Sequence, residues 1–232
     1  MTQATKTISP QMVLFLLVFI IVVPMLPLII SWRWDWWEAW IYAGLSILGF
    51  FISRIVAGRR HPDLLAERSK SFQTPDSEAW DKILSPGLML LGAIIPLAAG
   101  IDMRFGPSAQ FPVSFKILAA LIIIFGYGIG AYAMIVNRYF SGVVRIQKER
   151  GHQVVDQGPY RWVRHPGYSG SILANLAIPL LLDSLWTFIP VLLSLLVIIL
   201  RTSLEDQALQ EKLPGYQAYA QKVPFRLFPG IW

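Results

Sequence analysis

The sequence predicts an all-α, polytopic membrane protein with about six transmembrane segments, including a C-terminal helical hairpin, and a ligand pocket at the cytoplasmic boundary. Three observations lead there. The chain of 232 residues is 55% hydrophobic, with a mean hydropathy of +0.53, whereas soluble domains hold about 45–50% apolar residues. Its apolar residues are blocked into runs of about twenty, the length a helix needs to cross a bilayer. Most of its basic residues fall between those runs, so membrane topology accounts for the formal charge of +6 without a nucleic-acid partner. The absence of cysteine excludes disulfides, thiolate metal sites and cysteine nucleophiles. Three histidines spread far apart in the chain predict no metal site.

Residues 12–30 form a first apolar run, with Pro24 and Pro27 expected to kink it. No small-residue cleavage pattern follows, which predicts a retained span rather than a cleaved signal peptide. Trp32, Trp34, Trp36 and Trp37 then gather around Arg33 and Asp35, as tryptophans do at headgroup level. Residues 38–57 make a second span, with Arg54 near its end and able to snorkel. A polar loop over residues 58–82 leads to a third span, 84–101, interrupted by Pro86 and Pro96. The fourth, 113–136, carries alternating Gly126, Gly128 and Gly130, a signature of close contact with another helix or with a ligand.

After a second polar segment, residues 168–200 run apolar except at Asn175, Pro179 and the Asp183-Ser184 pair. As one helix this run would extend about 50 Å, far beyond a hydrocarbon core of about 30 Å. A hairpin turning near Asp183 fits instead. Beyond it, Leu204, Ala208, Leu209 and Leu213 fall at helical spacing in a tail that Pro214-Gly215 interrupts. Residues 58–82 and 137–167 carry five and six Lys/Arg, against one in each of 31–35 and 102–112. The positive-inside rule therefore puts both basic loops and both termini in the cytoplasm. The chain divides into N-terminal membrane helices, 1–136, and a C-terminal region, 137–232, that holds the concentrated polar chemistry.

That chemistry centres on residues 158–170, G-P-Y-R-W-V-R-H-P-G-Y-S-G. Prolines and glycines hold the backbone in turns and leave polar groups free for a ligand. Tyr160 and Tyr168 offer faces for a flat ring. A hairpin must bring this stretch back against the next polar one, so Arg164, His165 and Tyr168 should face Arg201, Glu205 and Asp206. Glu205 and Asp206 can accept hydrogen bonds from sugar hydroxyls or sit near a cation. A ligand with a ring, a ribose and a positive centre fits, and the residues alone do not name it.

The motif at 158–168, then R-T-S-L-E-D at 201–206, then G-Y-Q-A-Y-A-Q-K-V-P-F-R-L-F-P at 215–229, resembles the isoprenylcysteine carboxyl methyltransferases. These are integral-membrane enzymes related to the phospholipid methyltransferases. Pro62-Asp63-Leu64-Leu65, Glu67-Arg68 and Trp80-Asp81-Lys82 resemble the bacterial branch, which implies a bacterial inner membrane. The resemblance implies S-adenosylmethionine as cofactor, held by Gly158, Pro159, Tyr160, Arg164, His165, Pro166, Tyr168, Glu205 and Asp206. The family pattern has Glu-Glu where this chain has Glu205-Asp206, which puts the role of Asp206 in doubt. The resemblance further implies a lipid-like or prenylated acceptor entering from the bilayer. Carboxyl O-methylation would need no strong base, because the acceptor is already ionised; Arg201 would hold that carboxylate and Glu205 would orient the cofactor or the arginine. Three alternatives stay open: N-methylation of a phospholipid, an NADPH enzyme resembling the sterol reductases through V-P-F-R-L-F-P-G-I-W, and a non-catalytic protein whose basic loops bind anionic lipid.

Overall fold

A computed structural model describes residues 14, 17–69 and 76–232. Helix is the only extended secondary structure among them. In chain order the helices are α1 (Val18–Ser31), α2 (Trp37–Arg60), α3 (Pro62–Ser69), α4 (Asp81–Phe105), α5 (Val113–Val136), α6 (Pro166–Leu181), α7 (Phe188–Lys212) and α8 (Tyr216–Lys222). The helices α2, α4, α5 and α7 are long and apolar enough to cross a membrane, α1 is a shorter apolar helix, and α6 spans 16 residues. The protein is thus an integral membrane protein of the expected all-α class. The first four residues of the expected first span include positions outside the described residues; where α1 is described, it opens with a wide π-helical turn over Val18–Val22, just before Pro24.

Boundaries follow local sequence. α5 spans the expected residues, because Pro112 starts it and Asn137 ends its apolar run. One expectation needs correcting. The polar stretch from Arg201 onward does not begin a separate tail element: α7 continues unbroken to Lys212. No glycine or proline interrupts it until Pro214-Gly215, where Gly215 adopts φ +84° and the chain turns into α8. Trp36 also departs from the interfacial belt. It is 5% exposed and packs with Leu28, Ala39 and Ile95, while Trp32, Trp34 and Trp37 are exposed as expected.

Two features fix the bundle. α5 and α6 share its most extensive interface, and they touch backbone to backbone. A Cβ on Gly126 would stand 2.5 Å from the Gly170 carbonyl oxygen, and one on Gly170 would meet the Gly126 carbonyl. Glycine at both positions permits an approach no other residue allows. At the hairpin turn, Asp183 takes φ +52°. Its carboxylate accepts from Lys116 Nζ (2.5 Å) and from the Phe111 amide (2.8 Å), and the same Lys116 bonds Glu38 (2.5 Å). This buried triad ties the hairpin turn to the starts of α2 and α5, at the end of the bundle remote from the residues 158–168.

The glycine contact yields a direct prediction. Gly126→Val should force α5 and α6 apart and destabilise the fold by about 1–3 kcal/mol, as overpacking does. A thermal melt in detergent should show a lowered midpoint, whereas Gly128→Ala, with nothing within 4 Å of its Cβ position, should melt like the parent.

Candidate active site

The hairpin performs the fold-back the sequence anticipates. α6 starts at Pro166, directly after the R-H-P turn, and α7 returns Arg201, Glu205 and Asp206 to its side. Tyr168 donates its hydroxyl proton to Glu205 Oε2 at 2.6 Å. The Arg201 guanidinium lies 5.6 Å from the Tyr168 ring centroid, and the His165 ring stacks on the same tyrosine with centroids 5.9 Å apart.

Asp206 is the hub. It is fully buried and accepts from Arg164 Nε (2.7 Å) and Nη2 (2.9 Å), His165 Nε2 (3.3 Å), Gln210 Nε2 (2.9 Å), Tyr216 Oη (3.0 Å) and Arg226 Nε (3.0 Å). Burial works against the charge on Arg164, but the hydrogen bonds and charge of Asp206 outweigh it and raise the arginine's pKa. Arg164 Nη1 also bonds the Val223 and Pro224 carbonyls, and the amides of Arg164 and His165 bond the Phe225 and Arg226 carbonyls. Ser169 adds a bond to the Leu227 carbonyl at 2.6 Å. The segment V-P-F-R-L is thereby stitched along the R-H-P turn. With its carboxylate surrounded by protein donors, Asp206 acts on the turn and the tail.

Arg201 differs from expectation in its partner. Its Nε and Nη2 form a bidentate pair with the fully buried Asp81 at 2.6 and 3.0 Å, and Nη2 also bonds the Gly142 carbonyl. The fork expected to hold an acceptor carboxylate is filled by a carboxylate of the chain itself. Asp81 in turn accepts from the Val144 amide at 2.6 Å. Asp81 was visible in the sequence only within Trp80-Asp81-Lys82, and nothing there pointed to Arg201.

These groups surround a cavity of about 540 Å³ between α2, α5, α6 and α7, within the range of ligand sites. Tyr160, Arg164, His165, Tyr168, Arg201 and Glu205 line it. Pro159 and Pro166 instead border a second, apolar groove of about 710 Å³ with Phe125, Trp162 and Phe228. Gly158 borders neither. It takes φ +56°, and a Cβ there would come within 2.9 Å of Val136 Cγ2, so its glycine serves the turn. The glycines of α5 divide likewise: Gly126 and Gly130 border the polar cavity and Gly128 the apolar groove. Sequence reasoning missed Tyr139, Tyr216, Arg54 and Arg68 on the cavity wall. For Tyr216 and Tyr219 their i, i+3 spacing put both on one helical face.

Residues 118–211 match the sequence profile of the Isoprenylcysteine carboxyl methyltransferase (ICMT) family. Over that segment the chain is similar to this family. The matched span contains the R-H-P turn, the hairpin and the Arg201–Asp206 stretch described above. The chain is also similar to an uncharacterized protein, YpbQ, of Bacillus subtilis (strain 168), with 43% identity over 67 residues. That similarity covers 26% of this chain and 37% of the Bacillus protein, so the chain spans well under half the length of that curated relative.

Two outcomes follow from the geometry. Removing the hub leaves Arg164 and Arg226 without their counter-charge, and breaking a buried pair in this way costs about 3–5 kcal/mol. Asp206→Ala should release the C-terminal ten residues to limited proteolysis, while the conservative Asp206→Glu should protect them better. Separately, burial and then the charges of Arg150 and Arg145 push the His152 imidazole down to about 4, below the usual value of about 6.5. The folded state keeps it neutral, so the stability it carries is full above about pH 6.5 and is lost as pH falls towards 4. Melting temperature should drop less steeply over that window in His152→Gln than in the parent.

Proposed function

We propose that the protein is an S-adenosylmethionine-dependent membrane methyltransferase that methylates the carboxylate of a lipid-like acceptor. The observation that carries this reading is the Tyr168–Glu205 contact at 2.6 Å, which joins the turn motif and the end of the hairpin around one cavity. The cavity's donor set suits the cofactor. Tyrosine faces suit its ring, the Glu205 carboxylate suits a ribose or a positive centre, and Asn137 and His152 add polar edges. When bound, S-adenosylmethionine supplies an electrophilic methyl on a sulfonium, for in-line transfer to an oxygen that is already ionised.

The chain's own part is alignment and exclusion of water. Glu205 keeps one oxygen on Tyr168, which fixes its rotamer and leaves the other for the ligand. Arg201 is held by Asp81 and presents Nη1, which has no partner among the described residues. In this reading Tyr160, Arg164, His165, Tyr168 and Glu205 form the cofactor side. Gly158, Pro159, Pro166 and Asp206 shape the turn that carries them. Residues 137–232 carry cofactor binding, and 1–136 supply the wall along which the acceptor enters from the bilayer. In this reading the site faces the cytoplasm at a bacterial inner membrane, an orientation that the charge of the basic loops favours.

Calorimetry on purified protein tests the reading. S-adenosylmethionine should bind, and Glu205→Gln, which removes a charged acceptor worth about 1.5–3 kcal/mol, should weaken binding about tenfold or more. Binding of NADPH in place of S-adenosylmethionine would overturn it in favour of a reductase.

A further inference from the structure

We propose that Arg54 and Arg68 form an anion subsite that takes the carboxylate of the methyl acceptor. The proposal rests on the methyltransferase reading for what the acceptor is, and on the charge balance of the cavity for where it binds.

Both arginines line the polar cavity, and neither has an acidic partner. All 14 Asp and Glu residues of the chain lie among the described residues, and the ion pairs they make involve other cations. Arg54 Nη1 donates to Ser53 Oγ at 3.0 Å, and its guanidinium lies 4.0 Å from the Phe50 ring centroid. Arg68 Nη1 donates to the Phe140 carbonyl at 3.2 Å, with its guanidinium 5.4 Å from that residue's ring centroid. The remaining donors of both guanidiniums are uncommitted to any carboxylate. Neighbouring arginines elsewhere in the same protein are treated differently: Arg145, Arg164 and Arg201 each hold at least one carboxylate.

The two charges are close enough to repel each other, and Arg68 also feels Arg201. Burial and then Arg201 bring the Arg68 pKa down to about 10. Holding such charges together in a partly buried cavity is unfavourable until an anion enters. A carboxylate supplies the matching charge and the planar geometry that guanidinium forks bind.

Position decides which carboxylate. The methionine end of S-adenosylmethionine carries one too. Arg54 and Arg68, however, stand on α2 and α3, outside the turn motif and outside the segment that matches the family. Arg54 follows Gly49 and Phe50 along the α2 wall of the cavity, which faces Gly126 and Tyr127 of α5. An apolar chain lying between these membrane helices would end its acidic head at Arg54. The sequence suggested a snorkelling role for this arginine; its ring contact and cavity position turn it inward instead.

Binding of farnesoic acid and of its methyl ester to the full chain in nanodiscs tests the proposal. The parent should prefer the acid by about tenfold or more, as expected for a charge-assisted contact. Arg54→Gln, Arg68→Gln and the double variant should lose that preference while keeping the parent's affinity for S-adenosylmethionine. Arg54→Lys with Arg68→Lys keeps the charge and should retain part of the preference at an unchanged melting temperature, which separates binding from folding. Equal affinity of the parent for acid and ester overturns the proposal. So does a Gln variant that loses S-adenosylmethionine and keeps the acid, since the arginines would then serve the cofactor. Displacement of the acid by phosphatidylethanolamine also overturns it. A parent that ignores S-adenosylmethionine but prefers the acid refutes methyl transfer alone and still supports the subsite.

Discussion

The Asp206 carboxylate sits where three stretches of chain meet: the end of α7, the R-H-P turn before α6, and the C-terminal segment. A charge with no solvent exposure must find its compensation in the protein. Six donor contacts provide it, from Arg164 twice and from His165, Gln210, Tyr216 and Arg226. Because those donors come from distinct elements, satisfying one carboxylate sets the relative position of all of them. The cavity wall then inherits its geometry, since His165 and Tyr168 stand on the turn that Asp206 anchors. Buried ion pairs are weak sources of stability but strong penalties when half-broken, and this one is arranged so that misplacing any arm exposes the deficit.

Two other charged junctions complete the frame. Lys116 with Glu38 and Asp183 closes the far end of the hairpin. Arg145, held by Glu67, Asp76 and Glu149, fastens the loop after α5 to α3 and the residues behind it. Between these ends the helices meet through small residues, most closely at Gly126 and Gly170. In a bilayer, lipid tails match apolar side chains, so close backbone contact and polar junctions do the specifying. The same crossing separates the polar cavity from the apolar groove on the other side of α5 and α6.

Charge is unevenly distributed around the cavity. Arg164 and Arg201 have their carboxylates, Glu205 shares one oxygen with Tyr168, and Arg54 and Arg68 hold only neutral groups. The paired charges build the walls. The unpaired ones leave an electrostatic demand facing the interior, which the carboxylate of an acidic acceptor can meet. Specificity and architecture are thus carried by separate arginines, although all of them look alike in a list of basic residues.

Much of this was legible in the chain itself. Apolar runs placed α2, α4 and α5, the excessive length of residues 168–200 required a hairpin, and the motifs at 158–168 and 201–206 were expected to face each other and do. These are local properties: run length, periodicity and the position of prolines and glycines decide them before any helix finds a partner. The partner of Arg201, the inward turn of Arg54 and the burial of Trp36 were not legible. Asp81 and Arg201 lie 120 positions apart, and no pattern of spacing encodes how two helices approach across a bundle. Tertiary structure made those choices, because which charge neutralises which depends on distance and burial that exist only after the helices have packed.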